Sequence, residues 1–344
     1  MDTNIDVTVV MPVRNEGEFI ERSVASVLRQ SYPQDKIKII IIDGMSTDQT
    51  PQVLARLVEE HENILVLNNP RKIVPYALNA ALKTATGKII VRVDGHCEIA
   101  PDYVEQCVRH LSQDDVECVG GPIETIGETP AASVIALAMS VPFGVGNSAF
   151  RTVKGRTMLV DTVAFPAYTR AAIDRVGPFD EELVRNQDDE YNFRLRKLGG
   201  KVLLTPDIRS IYYSRSSFQS LWRQYFQYGY WKVRVMQKHP HQMSLRQFIP
   251  PAFTLSLLTL TAASFFTVWG RILLGVCLGT YLLASLVYTL IAAVSIRKSW
   301  VILLPPAFWI IHIGYGLGFL TGLVKFANRW SKQDSVIKPV AFQR

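Results

Sequence analysis

Between Asp207 and Asp334 the sequence contains no aspartate or glutamate. Lysine and arginine continue through that stretch, so the formal net charge of +7 is unevenly placed. From residue 249 onward lie eight of the 37 Lys and Arg (Arg271, Arg297, Lys298, Lys325, Arg329, Lys332, Lys338, Arg344) but one of the 30 acids, Asp334. Everything before residue 249 is therefore electroneutral. A nucleic-acid binder carries its basic excess on a folded polar face, so nucleic acid is excluded as a partner. Charge set around apolar segments is the pattern that flanks membrane spans. Cysteine is scarce too: Cys97, Cys107, Cys118 and Cys277 form no CxxC pair. That excludes a zinc or disulfide framework and suits reduced thiols in a cytosolic domain. The opening residues, MDTNIDVTVVMPVRNEGE, lack a basic n-region and a long enough apolar stretch. The N-terminal region is thus expected to stay on the side of synthesis.

What the first half does contain is a regular alternation. Residues 7–13 (VTVVMPV) are a continuous apolar, β-branched run, followed by a polar loop and a helical pattern over 19–28. Such a run reads as a buried parallel strand feeding a helix. The unit recurs with a strand at 38–42 ending at Asp43-Gly44 and a helix to about residue 60 that starts from the capping types Ser46, Thr47 and Asp48. A strand at 64–67, a helix over 75–84 and a strand over 88–93 ending at Asp94 follow, then a helix over 102–111 and a strand at 117–121. This spacing predicts an α/β fold with a doubly wound parallel sheet, in which ligands bind beyond the carboxyl ends of the strands. Asp43 and Asp94 both stand there. Residues 130–150 (PAASVIALAMSVPFGVGNSAF) read either as a core helix with a glycine loop or as a segment that touches membrane or acceptor lipid. A helix is expected over 180–198, closed by Gly199-Gly200.

The acid-free region begins with a mixture of aromatics (Tyr212, Tyr213, Phe218, Trp222, Tyr225, Phe226, Tyr228, Tyr230, Trp231) and cations (Arg215, Arg223, Lys232, Arg234, Lys238, Arg246). That blend suits helices lying at a membrane interface, or an amphipathic helix packed on the first domain. Three apolar stretches follow, at about 249–269, 272–296 and 301–324, each long enough to cross about 30 Å of hydrocarbon. The first two read as a hairpin turning at Gly270-Arg271. Pro305-Pro306 and glycines 314, 316, 318 and 322 leave the third either spanning or re-entrant. The expected division is a catalytic domain over 1–207, interfacial helices over 208–248, a membrane region over 249–330 and a basic tail over 331–344.

The strand ends offer residues suited to a nucleotide diphosphate-sugar. Glu16, in the loop Pro12-Val13-Arg14-Asn15-Glu16, can accept from ribose hydroxyls. Asp43 can accept from a base N–H, although a strand-end acid is as often a helix cap, the reading with equal weight for Asp48. Asp94-Gly95-His96 sets two metal-capable side chains two residues apart, where Mn²⁺ or Mg²⁺ would neutralise a diphosphate and assist its departure. Gln187-Asp188-Asp189-Glu190 opens a helix. Acids there favour the helix dipole, and one facing the site would act as general base, Asp188 first and Asp189 in reserve.

The set PVRNEGEFIERSVASVLRQSYP, IIDGMSTDQT, RVDGH and NQDDEYNFRLRKLGGK resembles the family-2 inverting glycosyltransferases of GT-A fold, over about residues 6–235. VDGH, AMSVPFGVGNSAFR and QYFQYGYWK are similar to the succinoglycan-type, membrane-associated glucosyltransferases that extend lipid-linked oligosaccharides. The resemblance implies a mixed doubly wound sheet, with Pro12, Glu16 and Asp43 on the nucleotide and Arg14 in the same loop. It places Asp94 and His96 at the DxD metal position and Asp188 as the base. It further implies single addition from a nucleotide-sugar, a UDP-sugar by family bias, to a lipid-linked saccharide in exopolysaccharide biosynthesis. The enzyme would be a multi-pass inner-membrane protein with a cytoplasmic catalytic domain, working beside other polysaccharide-assembly proteins. The competing readings are transfer to polyprenyl phosphate and a non-catalytic, membrane-tethered nucleotide-binding subunit of an export assembly. Two positions depart from the family pattern: His96 replaces the second acid of DxD, and Gln187 replaces the usual Glu before the base. The QxxRW of processive synthases is absent as well.

Overall fold

The computed structural model describes residues 5–330, so the basic tail expected over 331–344 lies outside the described residues. These residues form two compact units, 5–124 with 153–212 and 125–152 with 213–330. Residues 125–152, inside the range expected to be purely catalytic, thus belong to the second unit.

Along the chain the first unit opens with β1 (Val7–Val13), α1 (Ile20–Leu28), β2 (Ile37–Asp43), α2 (Thr50–Glu60), β3 (Ile64–Asn68), α3 (Val74–Thr84) and β4 (Ile89–Arg92). It continues through β5 (Cys97–Ile99), α4 (Tyr103–Gln113) and β6 (Cys118–Gly121). The strand β7 (Ile123–Ile126) leads out to α5 (Pro130–Ala138), α6 (Pro142–Val145) and α7 (Ala149–Thr152). The chain returns as β8 (Met158–Leu159), β9 (Ala164–Thr169), α8 (Arg170–Val176), α9 (Gln187–Lys197), β10 (Val202–Leu204) and β11 (Ser210–Tyr213). The remainder is α10 (Phe218–Lys238), α11 (Ile249–Ser264), α12 (Val268–Ile296) and α13 (Leu304–Lys325).

The main sheet has the order β3-β2-β1-β4-β9-β6-β10-β8. Strands β1 to β4 run parallel, whereas β9 is antiparallel to both its neighbours, β4 and β6. The sheet is therefore mixed: β9 inside it, and β8 at its edge against β10, break the purely parallel pattern read from the alternation. The β9 sequence AFPAYT hides that strand, because a mid-strand proline ordinarily argues against a central strand. Continuous apolar runs buried on both faces explain β1 and β2: Val7, Val9 and Ile39 to Ile42 have essentially no exposed surface. After β1 the chain winds outward through β2 to β3, then crosses back to place β4 on the other side of β1. That reversal opens a crevice beyond the carboxyl ends of β1 and β4, where ligands bind in doubly wound sheets.

The helix expected over 180–198 starts later, at Gln187. Asn186 adopts a left-handed conformation (φ 63°), which a helix interior does not accommodate and asparagine tolerates better than most residues.

In the second unit, α12 and the segment Ser299–Lys325 are each long and apolar enough to cross a membrane. The helix α11 has 16 residues, about 24 Å at 1.5 Å per residue. The turn between α11 and α12 falls at 265–267 rather than at Gly270-Arg271, because the Thr267 side chain accepts from Gly270 N at 2.9 Å and starts α12 there. The glycines of α13 do not break it. They let neighbouring backbones approach: a Cβ at Gly318 would lie 2.0 Å from Phe226 O, and one at Gly322 would lie 2.7 Å from Tyr230 O. Gly229 of α10 answers from the other side, 2.0 Å from Tyr315 O by the same measure. Small residues at such contacts are how apolar helices pack backbone to backbone. Phe143 of α6 is enclosed by Tyr281, Tyr288, Phe308 and His312. His312 Nε2 donates to Phe143 O at 2.8 Å, which leaves Nδ1 to accept from the Tyr281 hydroxyl at 2.9 Å. The 130–150 segment thus packs with the apolar helices of its own unit.

Candidate active site

The loop that follows β1 is held by the loop that follows β2. Asn15 N donates to Ser46 Oγ (2.8 Å), and Asn15 Oδ1 accepts from Thr47 N (2.9 Å). Glu16 N donates to Thr50 Oγ1 (2.9 Å) and Gly17 N to Asp48 Oδ2 (2.9 Å). Asn15 and Met45 both take left-handed backbone conformations (φ 54° and 57°), a strain that persists where surrounding bonds over-determine it. Asp48 also accepts from Thr50 N, so it is a structural staple between the loops. Burial raises its carboxyl, but the hydrogen bonds from Thr50 and Gly17 outweigh this and hold it below the usual range.

Asp43, at the end of β2, is buried. Ser46 orients it, with Oγ donating to Oδ1 at 2.5 Å and N donating to both carboxylate oxygens. Pro12 stands opposite Ile42 in the β1–β2 register. The exposed Arg14 lies over Gly44, where an added Cβ would come within 3.1 Å of the Arg14 stem. All four sequence-expected nucleotide residues of these two loops therefore fall in one stapled patch.

Beyond β4, Asp94 forms a bidentate pair with Arg92, Nε to Oδ1 at 2.8 Å and a terminal nitrogen to Oδ2 at 3.2 Å. Their side chains are 20% and 12% exposed. Burial raises the Asp94 carboxyl, but Arg92, then His96 and Arg185, more than offset it and hold it low. His96 Nδ1 lies 2.9 Å from Glu16 Oε1, and its ring packs edge-on against Tyr212. Gly95 makes this approach feasible: a Cβ there would sit 2.9 Å from Glu16 Cγ and 3.0 Å from Val13 Cγ1.

At the start of α9, the three acids divide. Glu190 is consumed internally by Arg194 (2.6 Å), which also donates to Val176 O and Pro178 O. Asp188 Oδ1 accepts from Asp189 N at 2.9 Å. The Asp188 charge also reaches Arg92: burial lowers the Arg92 guanidinium, but Asp94 and then Asp188 raise it beyond its ordinary value. Gln187 is buried with Oε1 unpartnered. Asp94 is thus bonded to Arg92, and the Asp188 charge acts on the same, largely withdrawn guanidinium.

The donor set fits a divalent ion in part. With Nδ1 engaged by Glu16, the remaining nitrogen of His96 is the one that would face an ion, an arrangement in which a carboxylate orients the imidazole. Asp94 supplies one carboxylate. Among the described residues no three His, Cys, Asp or Glu converge as a complete cage, so diphosphate oxygens would have to complete the set.

Residues 8–177 match the family model described as Glycosyl transferase family 2. The chain carries a family 2 glycosyltransferase domain. Similar proteins extend beyond that domain. The succinoglycan biosynthesis protein ExoA of Rhizobium meliloti (strain 1021) is 29% identical over 336 residues, 95% of this chain and 98% of that protein. The dolichyl N-acetyl-alpha-D-glucosaminyl phosphate 3-beta-D-2,3-diacetamido-2,3-dideoxy-beta-D-glucuronosyltransferase of Methanococcus voltae is 27% identical over 327 residues, 93% and 97% of the two chains. The mannosyltransferase PcManGT from Pyrobaculum calidifontis, solved with GDP-Man and Mn²⁺, shares the fold with a TM-score of 0.56 at 20% identity. It covers 96% of this chain and 89% of that one. The mixed sheet is that of the GT-A glycosyltransferases, and the chain is a glycosyltransferase.

Two charged residues of this glycosyltransferase site were not singled out in the sequence, Arg92 and Arg185. Arg92 had a signal: it is the lone charge in the apolar run IIVRV, and a charge in a buried strand requires a partner. Arg185 carried none, since it lies in a polar turn.

Proposed function

We propose that this glycosyltransferase moves a hexose from a nucleotide-sugar, a UDP-sugar, to a lipid-linked saccharide, one residue per acceptor and with inversion, in polysaccharide assembly. The carrying observation is the arrangement around the switch point: Glu16 and Asp43 in one stapled patch, His96 bonded to Glu16, and Asp94 paired with Arg92, with Asp188 in the first turn of α9. The acceptor class is supported by the relatives, one named for succinoglycan biosynthesis and one for a dolichyl phosphate-linked sugar, both similar along nearly the whole chain. A multi-pass inner-membrane setting with the sheet domain in the cytoplasm is supported by the two membrane-length helices and the acid-free stretch 208–333.

In this mechanism Pro12, Arg14, Glu16 and Asp43 hold the nucleoside, and Asp94 and His96 would hold Mn²⁺ or Mg²⁺. When bound, the ion supplies positive charge to the departing diphosphate. Asp188, with Asp189 in reserve, takes the proton of the acceptor hydroxyl. The hydroxyl oxygen then bonds to the anomeric carbon from the face opposite the leaving group, and the bond to the diphosphate oxygen breaks with its electron pair leaving on that oxygen. An α-linked donor gives a β product. The test is nucleotide release from a panel of nucleotide-sugars by the full chain in detergent, with Mg²⁺ and Mn²⁺ compared and membrane lipid extract as acceptor. Extract-dependent release from a UDP-hexose is expected; no release from any donor would sink the reading.

A further inference from the structure

The pair Arg92–Asp94 sets a problem for any ion at that position. Asp94 offers both carboxylate oxygens to one guanidinium, at 2.8 and 3.2 Å. Both side chains are largely withdrawn from solvent, where a charge-assisted bidentate pair is strong. A divalent cation approaching Asp94 must compete with that guanidinium for the carboxylate, and from the protein it gains only this carboxylate and one imidazole nitrogen. His96 cannot add a second charge. In a DxD arrangement with two acids the ion would win more easily. Here the protein has brought its own cation to the site.

We propose that Arg92 is a resident counter-cation that holds Asp94 against metal until a diphosphate arrives. The diphosphate supplies the anionic oxygens that the protein lacks and gives the displaced guanidinium somewhere to go. Arg92 is thus a positioning residue that makes metal binding conditional on donor binding. The inference rests on Asp94 and His96 being the metal position of the proposed reaction.

The experiment is Mn²⁺ binding to the full chain in detergent at pH 8, read from the electron paramagnetic resonance of free Mn²⁺, with and without UDP. The wild type is expected to bind Mn²⁺ about tenfold more tightly with UDP than without it, within the usual span of site–site coupling. Arg92→Met is expected to bind Mn²⁺ alone about tenfold more tightly than wild type, with most of the UDP dependence gone. Arg92→Lys, which keeps the charge but loses the fork, falls between them. A structural role alone would weaken Mn²⁺ binding in both variants. Unchanged or weaker binding of Mn²⁺ alone in Arg92→Met overturns the proposal; if that variant does not fold, unchanged or weaker binding in Arg92→Lys overturns it instead. Because the readout is the ion and not turnover, it survives or fails separately from the donor screen.

Discussion

His96 Nδ1 and Glu16 Oε1 lie 2.9 Å apart across the switch point of the sheet. One residue comes from the loop after β1, expected to hold ribose, and the other from the turn after β4, expected to hold metal. The two functions therefore share a hydrogen bond. Glu16→Gln should weaken Mn²⁺ affinity in the presence of UDP by about 10-fold or more, as loss of an orienting carboxylate does. His96→Ala should weaken it at least as much. Titration of both variants against Mn²⁺ decides this: an unaffected Glu16→Gln would mean that the contact does not orient the imidazole.

Asp188→Asn removes the proposed base and leaves a side chain of the same shape at the start of α9. Transfer is expected to fall about 10²- to 10⁴-fold, the range for lost general-base catalysis, while the Kd for UDP stays within about twofold. Wild-type turnover by Asp188→Asn, or an equal loss confined to Asp189→Asn, would reassign the role.

Gly95→Ala tests the close approach of the two loops. The new methyl would meet Glu16 Cγ at 2.9 Å and Val13 Cγ1 at 3.0 Å, so Glu16 must turn away from His96. Overpacking of this kind costs about 1–3 kcal/mol. Donor KM should rise, and the thermal midpoint should fall by about 2–4 °C for each kcal/mol of strain. A variant with wild-type KM would show that the loops have slack.

Asp48 gives a pH signature. Its carboxyl is lower in the folded protein than the ordinary 3.8, so its stabilisation is fully present above that value and is lost as pH falls through the lowered one. Thermal midpoints of wild type and Asp48→Asn should therefore differ at pH 7 and converge as the pH drops below about 4. Parallel curves down to the acid limit would contradict the assignment.

Gly318→Leu should separate α13 from α10. An added Cβ would lie 2.0 Å from Phe226 O, and backbone cannot yield as a side chain can. The expected result is a protein that extracts poorly in mild detergent and loses its compact elution, while Gly275→Leu, which meets nothing within 4 Å, behaves as wild type. Equal behaviour of the two would remove the helix contact as a stabilising element.

The sequence was most legible where one physical signal dominated. Strands β1 and β2 could be read to within a residue because a buried parallel strand is a bare apolar run, and the positions of Asp43, Asp94 and Glu16 followed from standing at strand ends. The antiparallel β9 was invisible, since Pro166 argues against it and its two partners, β4 and β6, are distant in sequence. The interleaving of the two units was hidden for a related reason: the apolar face of 130–150 shows that it is covered but not by what. Glu190 stands among the acids that open α9, and only its bond with Arg194 shows that it braces the helix. The motif Asp94-Gly95-His96 is plain in the sequence, and Arg92 stands out as a lone charge in an apolar run, but that the two pair is visible only in three dimensions.

The route of the chain has a practical side. It enters the second unit at residue 125, leaves it at 152 and enters again after 212. Cutting the gene after 212 would therefore not release a clean catalytic fragment. Val134, Ile135 and Ala138 of α5, buried in the full chain, would be stripped of the C-terminal helices of their unit and left as an adhesive surface. A soluble version needs two edits, loss of everything after 212 and replacement of 125–152 by a short polar bridge.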